Sequence, residues 1–323
     1  MKRTIRTLAF AVLAAFALHA WAQGRFPERQ LTLVAPFPAG ASTDAFARLI
    51  ASRLSANLGQ QVVVENRPGA SGNVAGQYVA RGPADGHRIL VATHPMITVN
   101  PHVFKEMGFD PLKDLRPVAN GINTINVVAV HPSLPVRNIA ELIAWGKANP
   151  GELFFGTAGA GTPHHMGGME LGRRAGLPMK HVAYRGGAPM LADLAGGQIR
   201  IGITGLNSAE SLANAGKIRI IAVGEAARVA AYPNIPTMAE SFPGLLMNGW
   251  TGFFVPAATP PAVADRLSKE LLDVMNQPAV AKQLEDLRIP LWPARDPQAL
   301  ATQIAADYRA YAAVVRDLNI TSD

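Results

Sequence analysis

Residues 31–58, LTLVAPFPAGASTDAFARLIASRLSANL, indicate the fold class more clearly than any other stretch of the sequence. The first six residues, 31–36, are almost all apolar, which is typical of a buried strand. Beyond the turn at 38–40, the apolar residues recur at a helical spacing, at Ala47, Ile50, Leu54 and Leu58. The stretch therefore predicts a strand, a glycine turn and a helix.

The start of this helix is a candidate anion site. Ser42, Thr43 and Asp44 lie where short polar side chains cap free amide groups, and Gly59 follows as a stop. Such a helix directs unpaired N–H groups and a partial positive charge at whatever lies above the strand's carboxyl end. An anion fits there, although an ordinary strand–helix unit of any α/β protein accounts for this stretch equally well.

The first 22 residues predict a secretory signal peptide. Three basic residues among the first six are followed by the apolar run 8–18 and by Ala20-Trp21-Ala22, a small-x-small cleavage pattern before Gln23. The apolar run is too short to cross a bilayer. We expect export to the periplasm, with cleavage near Ala22 and a soluble mature protein.

The amino-acid composition and charge of the chain reduce the number of possible classes of function. Without the signal segment the formal net charge falls from +7 to +4, and no run of Lys and Arg marks a nucleic-acid or membrane-surface patch. Cysteine is absent, so an exported chain must be stabilised by its core alone. With 323 residues and 49% hydrophobic content, we expect two α/β domains.

The remaining pattern alternates strands with helices, which predicts parallel βαβ units. Capping signals for helices occur at Asn138 with Glu141, at Thr259 before Pro260 and at Asp296 before Pro297, whereas 101–117 is predicted to be irregular with capped turns. The predicted strands are 61–65, 88–93, 126–131, 153–156, 180–184, 199–204, 218–223 and 250–255.

The second half repeats the opening unit. Strand 153–156 leads into the small-residue turn 157–162, TAGAGT, and then into a helix that carries His165. In open α/β sheets ligands gather at the carboxyl ends of strands. If two domains shared a cleft, the two helix starts could therefore hold one anion, and each hydrogen bond to a charge contributes about 1.5–3 kcal/mol.

Competing site chemistries are poorly supported. The sequence has no Gly-x-Ser-x-Gly elbow, no phosphate-binding Gly-Lys-Ser/Thr loop and no His-Glu-x-x-His. His164 and His165 are adjacent, so on a helix they diverge by about 100° and cannot easily share an ion with His181. We therefore expect no metal, no cofactor and no catalytic residue, and His165 is either a hydrogen-bonded wall residue or a ligand contact.

Three charged candidates have structural alternatives. Arg185 either pairs with a carboxylate or is a solvated loop charge. Asp193, beside Gly196-Gly197, is either a ligand contact or a turn anchor, and Asp44 is either a ligand contact or an ordinary residue of a helix's first turn.

Taken in order, the motifs resemble the Bug-type, TctC-like solute receptors of tripartite tricarboxylate transporters, over essentially the whole mature length. The matching pieces are PFPAGASTD at 36–44, VENRPGA at 64–70, Asp85-Gly86, Asn100-Pro101, 159–165, Tyr184-Arg185-Gly186, Asp193-Leu194 with Gly196-Gly197-Gln198, Pro236-Thr237 with Glu240, Pro256, and Thr259-Pro260.

The resemblance implies a two-domain, type II-like Venus-flytrap periplasmic binding protein in which each domain is a mainly parallel sheet flanked by helices. Domain 1 would comprise 23–123 plus 249–323, and domain 2 would comprise 124–248. The domains would close on a small carboxylate, and a loaded monomer would dock with the membrane subunits of the transporter, without an enzymatic step. The implied ligand-binding residues are Phe37, Ala39, Gly40, Ala41, Ser42, Thr43, Asp44, Thr93, His94, Thr157, Ala158, Gly159, Gly161, Thr162, His165, Tyr184, Arg185, Gly186, Asp193 and Thr204.

The sequence departs from the family pattern at the expected cleft, so the ligand's identity does not follow from the resemblance. Ala41 stands where a second glycine is usual, and Arg185 replaces the more usual lysine. Pro163-His164 and Thr204-Gly205 are also atypical. Two alternatives stay open: an exported hydrolase acting in the cleft, which lacks a convincing nucleophile and base, and a receptor that passes the ligand signal to a sensor.

Overall fold

The computed structural model describes residues 26–40, 42–151, 153–159, 162–245, 247 and 249–317, with Ser42 and Asp317 described by their backbone only. The predicted signal peptide, residues 1–22, lies outside this part of the chain. Within the described residues, no helix has the length and apolar content needed to cross a membrane.

Ten strands and thirteen helices are labelled here in chain order. The strands are β1 Leu31–Ala35, β2 Val62–Asn66, β3 Arg88–Thr93, β4 Leu115–Thr124, β5 Asn126–Val130, β6 Phe154–Thr157, β7 Lys180–Ala183, β8 Ile201–Gly205, β9 Arg219–Val223 and β10 Gly249–Pro256. The helices are α1 Ser42–Leu58, α2 Asn73–Ala80, α3 His94–Thr98, α4 Asn100–Val103, α5 Pro111–Asp114, α6 Ile139–Ala148, α7 Pro163–Ala175, α8 Gly187–Ala195, α9 Leu206–Asn214, α10 Met238–Ser241, α11 Pro261–Met275, α12 Pro278–Asp286 and α13 Pro297–Asp317.

The strands form two five-stranded sheets with corresponding internal arrangements. The first sheet has the order β2-β1-β3-β10-β4 and the second the order β7-β6-β8-β5-β9. In the first, β1 pairs in parallel with β2 and β3, and β10 runs antiparallel to both its neighbours. In the second, β6 pairs in parallel with β7 and β8, and β5 is the antiparallel strand. The predicted α/β fold with two helix-flanked sheets is confirmed, and both sheets are mixed: four strands of each run in one direction and the fifth runs antiparallel to them.

Each sheet is buried on both faces, as the apolar composition of its strands requires. Alternate residues of β1 face opposite sides: Leu33 packs with Phe46 and Ile50 of α1, whereas Val34 packs in a different cluster with Trp250 and Ile304. Two further clusters cover the faces of the second sheet. The helices cover the faces of both sheets, so only the ends of the strands are left open to solvent.

Two chain segments join the sheets, and both lie at the same edge. The first joining segment is 124–126 and the second is 245–249. Thr124 at the end of β4 is opposite Gly249, and Gly205 at the carboxyl end of β8 is opposite Asn126. Consequently the carboxyl ends of the parallel strands in both sheets lie beside the joining segments.

Strand β4 corrects one prediction, because it begins at Leu115 inside the segment predicted to be irregular. Pro117, Asn120 and Gly121 interrupt its apolar pattern. The strand nevertheless forms because it lies at the sheet's edge, where proline is tolerated, and segment 290–295 covers its outer side.

The helix starts confirm two capping predictions and overturn one. Asn138 Oδ1 accepts from the Glu141 N–H at 2.8 Å, and Asp296 Oδ1 accepts from the Ala299 N–H at 2.8 Å. Thr259, by contrast, does not cap α11. Its buried Oγ1 has no hydrogen-bond partner among the described residues, because the helix starts one residue later than predicted, with Pro260 at the N-cap.

Candidate functional site

The loop after β1 is fastened by Asp44. Its carboxylate accepts from the Gly40 N–H at 3.0 Å, from Arg48 Nε at 2.9 Å and from Asn66 Nδ2 at 2.9 Å, and the same Asn66 amide donates to the Phe37 carbonyl at 3.0 Å. Gly40 has φ +88°, a left-handed conformation that favours glycine. Asp44 therefore shapes the turn, with its carboxylate already occupied by protein donors.

The contacts of Asp44 favour the ionised form of its carboxyl group. Burial of this side chain by itself raises its pKa, but hydrogen bonds from Arg48, Gly40 and Asn66 outweigh burial and lower the pKa from 3.8 to about 2. The carboxylate is therefore ionised throughout the neutral range. Asn66 is a site-shaping residue that the sequence analysis missed, although a strand-ending asparagine inside the VENRPGA motif is a usable signal.

Thr43 differs from Asp44. It is only 6% exposed, and its buried Oγ1 has no hydrogen-bond partner among the described residues. A buried hydroxyl without a partner is costly, so this atom is available for a ligand. Ala39 and Gly40 at the tip of the loop are exposed. Ala41 lies outside the described residues, and for Ser42 only the backbone is described.

Thr93 and His94, at the carboxyl end of β3, continue the same edge. Thr93 is the N-cap residue of α3, but its side chain makes no capping bond. The His94 side chain, 2% exposed, turns towards α13, where its Nε2 lies 3.5 Å from Asp307 Oδ2 and its ring packs against Trp250 and Tyr311. It lines a cavity of about 270 Å³ between α7 and α13.

The second sheet gathers a corresponding group after β6. Thr157 Oγ1 donates to the Gly159 carbonyl at 3.0 Å, and Thr162 Oγ1 donates to the same carbonyl at 2.8 Å. Thr162 also caps α7 by accepting from the His165 N–H at 3.2 Å. The Ala158 carbonyl accepts from the Gly186 N–H at 3.1 Å, which ties this turn to the next one. Gly161 lies outside the described residues.

His165 stacks on a second histidine beside this turn. The rings of His165 and His181 are 3.8 Å apart at 18°, and His181 Nε2 lies 2.8 Å from Thr157 Oγ1. Burial lowers the pKa of both rings, to about 4 for His181, where the nearby His165 also contributes. At neutral pH the pair is uncharged.

Three more predicted residues lie in or near the turn after β7: Tyr184 in the turn itself, Asp193 in α8 and Thr204 in β8. Tyr184 donates its hydroxyl to Asp193 Oδ2 at 2.8 Å, and burial together with this bond raises the pKa of Tyr184 to about 12. Asp193 thereby links α8 to the turn after β7. Thr204, buried at the end of β8, lies beside the start of α8, whose N-cap Gly186 provides no side-chain cap.

Arg185 is the one strongly charged residue of this turn that lacks a visible partner. Its side chain is exposed and makes no hydrogen bond or ion pair with the described residues. It lies next to the uncapped start of α8, where N–H groups and the helix dipole add to its positive charge. The arrangement can hold an anion.

Buried histidines predict acid sensitivity. Burial lowers the pKa values of His94, His164 and His181 from 6.5 to about 4. Between about pH 4 and 6.5 the unfolded chain therefore binds more protons than the folded chain. The stability that the folded protein gains by keeping these histidines uncharged is complete above about pH 6.5 and is lost as the pH falls towards about 4. We expect the thermal midpoint to fall across this window and to fall less steeply in His181→Gln. A midpoint that stays constant from about pH 7 to 4 would contradict this assignment.

Comparison with known proteins places this chain in a family. Residues 46–320 match the model of the tripartite tricarboxylate transporter family receptor, TctC. A UPF0065 protein of Bordetella bronchiseptica is 37% identical over 279 residues, which cover 86% of this chain and 83% of that protein.

Two solved structures share the fold over most of both chains. Rpa4515 of R. palustris with adipate is 34% identical, with a TM-score of 0.81, covering 92% of this chain and 100% of that one. MatC from Rhodopseudomonas palustris with bound malate is 27% identical, with a TM-score of 0.77, covering 90% and 100%. The chain therefore belongs to the family of tripartite tricarboxylate transporter receptors, which are periplasmic solute-binding proteins.

Proposed function

We propose that this receptor captures a small dicarboxylate in a cleft between two lobes and delivers it to membrane subunits of a tripartite tricarboxylate transporter. The lobes are 23–123 with 249–323, and 124–248. The ligand stabilises a closed state because only there do both lobes contact it. Binding involves no chemical conversion of the ligand.

One observation carries the proposal: the turns after β1 and β6 both open at the edge where the chain passes between the sheets. Each turn leads into a helix start, at Ser42 and at Pro163. Helix starts supply N–H donors and a partial positive charge for an anion.

The two halves of the site differ in a way that favours two carboxylates. The first half supplies the Thr43 hydroxyl and the amides of the loop that Asp44 fastens. The second half supplies the turn around Thr157 and the unpaired Arg185, whose planar guanidinium can make a bidentate contact with a carboxylate. The adipate and malate bound to the two similar structures are both dicarboxylates.

A thermal-shift screen of organic acids tests the proposal. A ligand present at about 100 times its dissociation constant adds about 2.7 kcal/mol to the folded state. We expect at least one dicarboxylate to raise the midpoint, while the matching diamide has no effect. The proposal fails if no acid raises it or if the diamide raises it equally. Uptake by a strain that lacks the protein then separates transport from a sensory role.

The Thr43 hydroxyl should matter for binding but not for folding. Thr43→Val keeps the shape of the side chain and removes an oxygen that has no partner in the structure, so we expect unchanged stability and about tenfold weaker binding. Adding Ser42→Ala should weaken binding further, to a total loss of affinity of about ten- to a hundredfold. Calorimetry with the acid found in the screen measures both variants, with Thr302→Val, on the exposed side of α13, as control. An unchanged dissociation constant in the double variant would exclude this loop from the site.

A further inference from the structure

Helix α7 is tied to both joining segments through its first turn. His164 Nε2 lies 2.9 Å from Asn126 Oδ1 in the first joining segment, and Asn126 Nδ2 donates to the Met247 carbonyl in the second. Because the amide nitrogen of Asn126 is the donor to Met247, its oxygen must accept from His164. The imidazole therefore carries its proton on Nε2, and its buried Nδ1 has no hydrogen-bond partner among the described residues.

Packing reinforces this connection. A Cβ on Gly167 would lie 2.2 Å from Met247 Sδ, so a larger residue here would displace the buried Met247 side chain of the second joining segment. One residue earlier, Met166 packs with Val103 and Val315 from the side of the first sheet. Helix α7 therefore contacts both joining segments and the helices of the other lobe.

The same turn of α7 also begins the second half of the candidate site. Thr162 caps the helix at the His165 N–H and holds the Gly159 carbonyl of the site turn. A ligand that contacts Thr157, Gly159 or Thr162 thereby acts on the first turn of α7, which His164 fastens to the segments where a hinge motion must occur.

We infer that His164 is a positioning residue that couples the second half of the carboxylate site to the interlobe hinge. The inference rests on the proposed function. The side chain does not contact the ligand; it sets how tightly the position of α7 is linked to the angle between the lobes.

The test measures the distance between lobes in the ligand-free protein. The sequence contains no cysteine, so Lys217→Cys and Gln283→Cys, both on exposed positions and one on each lobe, allow specific spin labelling. We expect His164→Leu, which fills similar space without a donor, to broaden the distance distribution. His164→Gln, which keeps a donor, should restore the wild-type width. His131→Ala serves as control, because His131 contacts Ser133 at a distance from the joining segments.

Two results would overturn the inference: a wild-type distribution in His164→Leu, or the same broadening in His131→Ala. If the leucine variant does not fold, His164→Asn, whose shorter side chain falls short of Asn126, is measured in its place.

A second readout uses adipate as the probe. We expect it to dissociate about tenfold faster from His164→Leu than from His164→Gln, as loss of one hydrogen bond to the hinge predicts. Equal dissociation rates in the two variants would count against coupling. If adipate and the other acids fail to bind the wild type, the proposed function is at fault, and the ligand-free distances still decide the role of His164.

Discussion

Asp44→Asn is expected to lower the free energy of unfolding by about 2 kcal/mol at neutral pH, the equivalent of a carboxyl pKa held at about 2 instead of 3.8. The carboxylate accepts from Gly40, Arg48 and Asn66, and an asparagine amide would present N–H groups to one or more of these donors. Asp44 is 3% exposed, so the loss is not made up by water. Since the loop after β1 then loosens, binding of the carboxylate should weaken as well.

The pH dependence of this variant has a definite sign. A carboxyl whose pKa is lowered by folding stabilises the protein fully above its unfolded pKa and loses that contribution as the pH falls. The gap in stability between wild type and Asp44→Asn should therefore be constant above about pH 5 and close between about pH 4 and 2.

Denaturant unfolding at several pH values measures this gap. Asp286→Asn is the matched control, because Asp286 pairs with Lys282 at an exposed position on α12 and its replacement should cost less than about 1 kcal/mol. Equal stability of wild type and Asp44→Asn at neutral pH would show that the three contacts do not fasten the loop.

Arg185→Ala is expected to weaken dicarboxylate binding by about ten- to a hundredfold, the equivalent of one or two hydrogen bonds to a charged group. The unliganded protein should keep its thermal midpoint, because the exposed Arg185 side chain makes no hydrogen bond or ion pair with the described residues. Binding by the variant should also depend less on ionic strength, since a charge pair is lost.

Isothermal calorimetry at two salt concentrations measures both effects. Arg137→Ala removes another exposed arginine from the same lobe, before α6, and controls for the change in net charge. If Arg185→Ala and Arg137→Ala bind the acid equally well, Arg185 is a solvated loop charge, as the sequence alone allowed.

The fold could be predicted from the sequence because its signals are local. The apolar run at 31–36 and the helical spacing from Ala47 to Leu58 specify a strand and a helix without information from elsewhere in the chain. Strand β4 could not be predicted in this way, because Pro117, Asn120 and Gly121 are stabilised in the strand by neighbours that are distant in sequence, β10 and segment 290–295.

The sequence assigns the candidate site to particular loops, but it does not reveal the contacts that the side chains of these loops make. Asp44 was identified as a helix-start residue, but its pairing with Asn66 joins positions 22 residues apart. The family resemblance implies His94 as a ligand-binding residue, whereas its side chain in the structure turns to Asp307, Trp250 and Tyr311. Such contacts depend on how sheets and helices pack against each other, which local patterns in a single sequence do not reveal.

A crystal structure of the protein with the dicarboxylate that gives the largest thermal shift tests the central claim most directly. One carboxylate should lie within hydrogen-bonding distance of the Thr43 hydroxyl and the amides of 41–44, and the other should contact the turn 157–162 and Arg185. A ligand bound only in the cavity beside His94 and Asp307, or on an outer face of either lobe, would contradict the account.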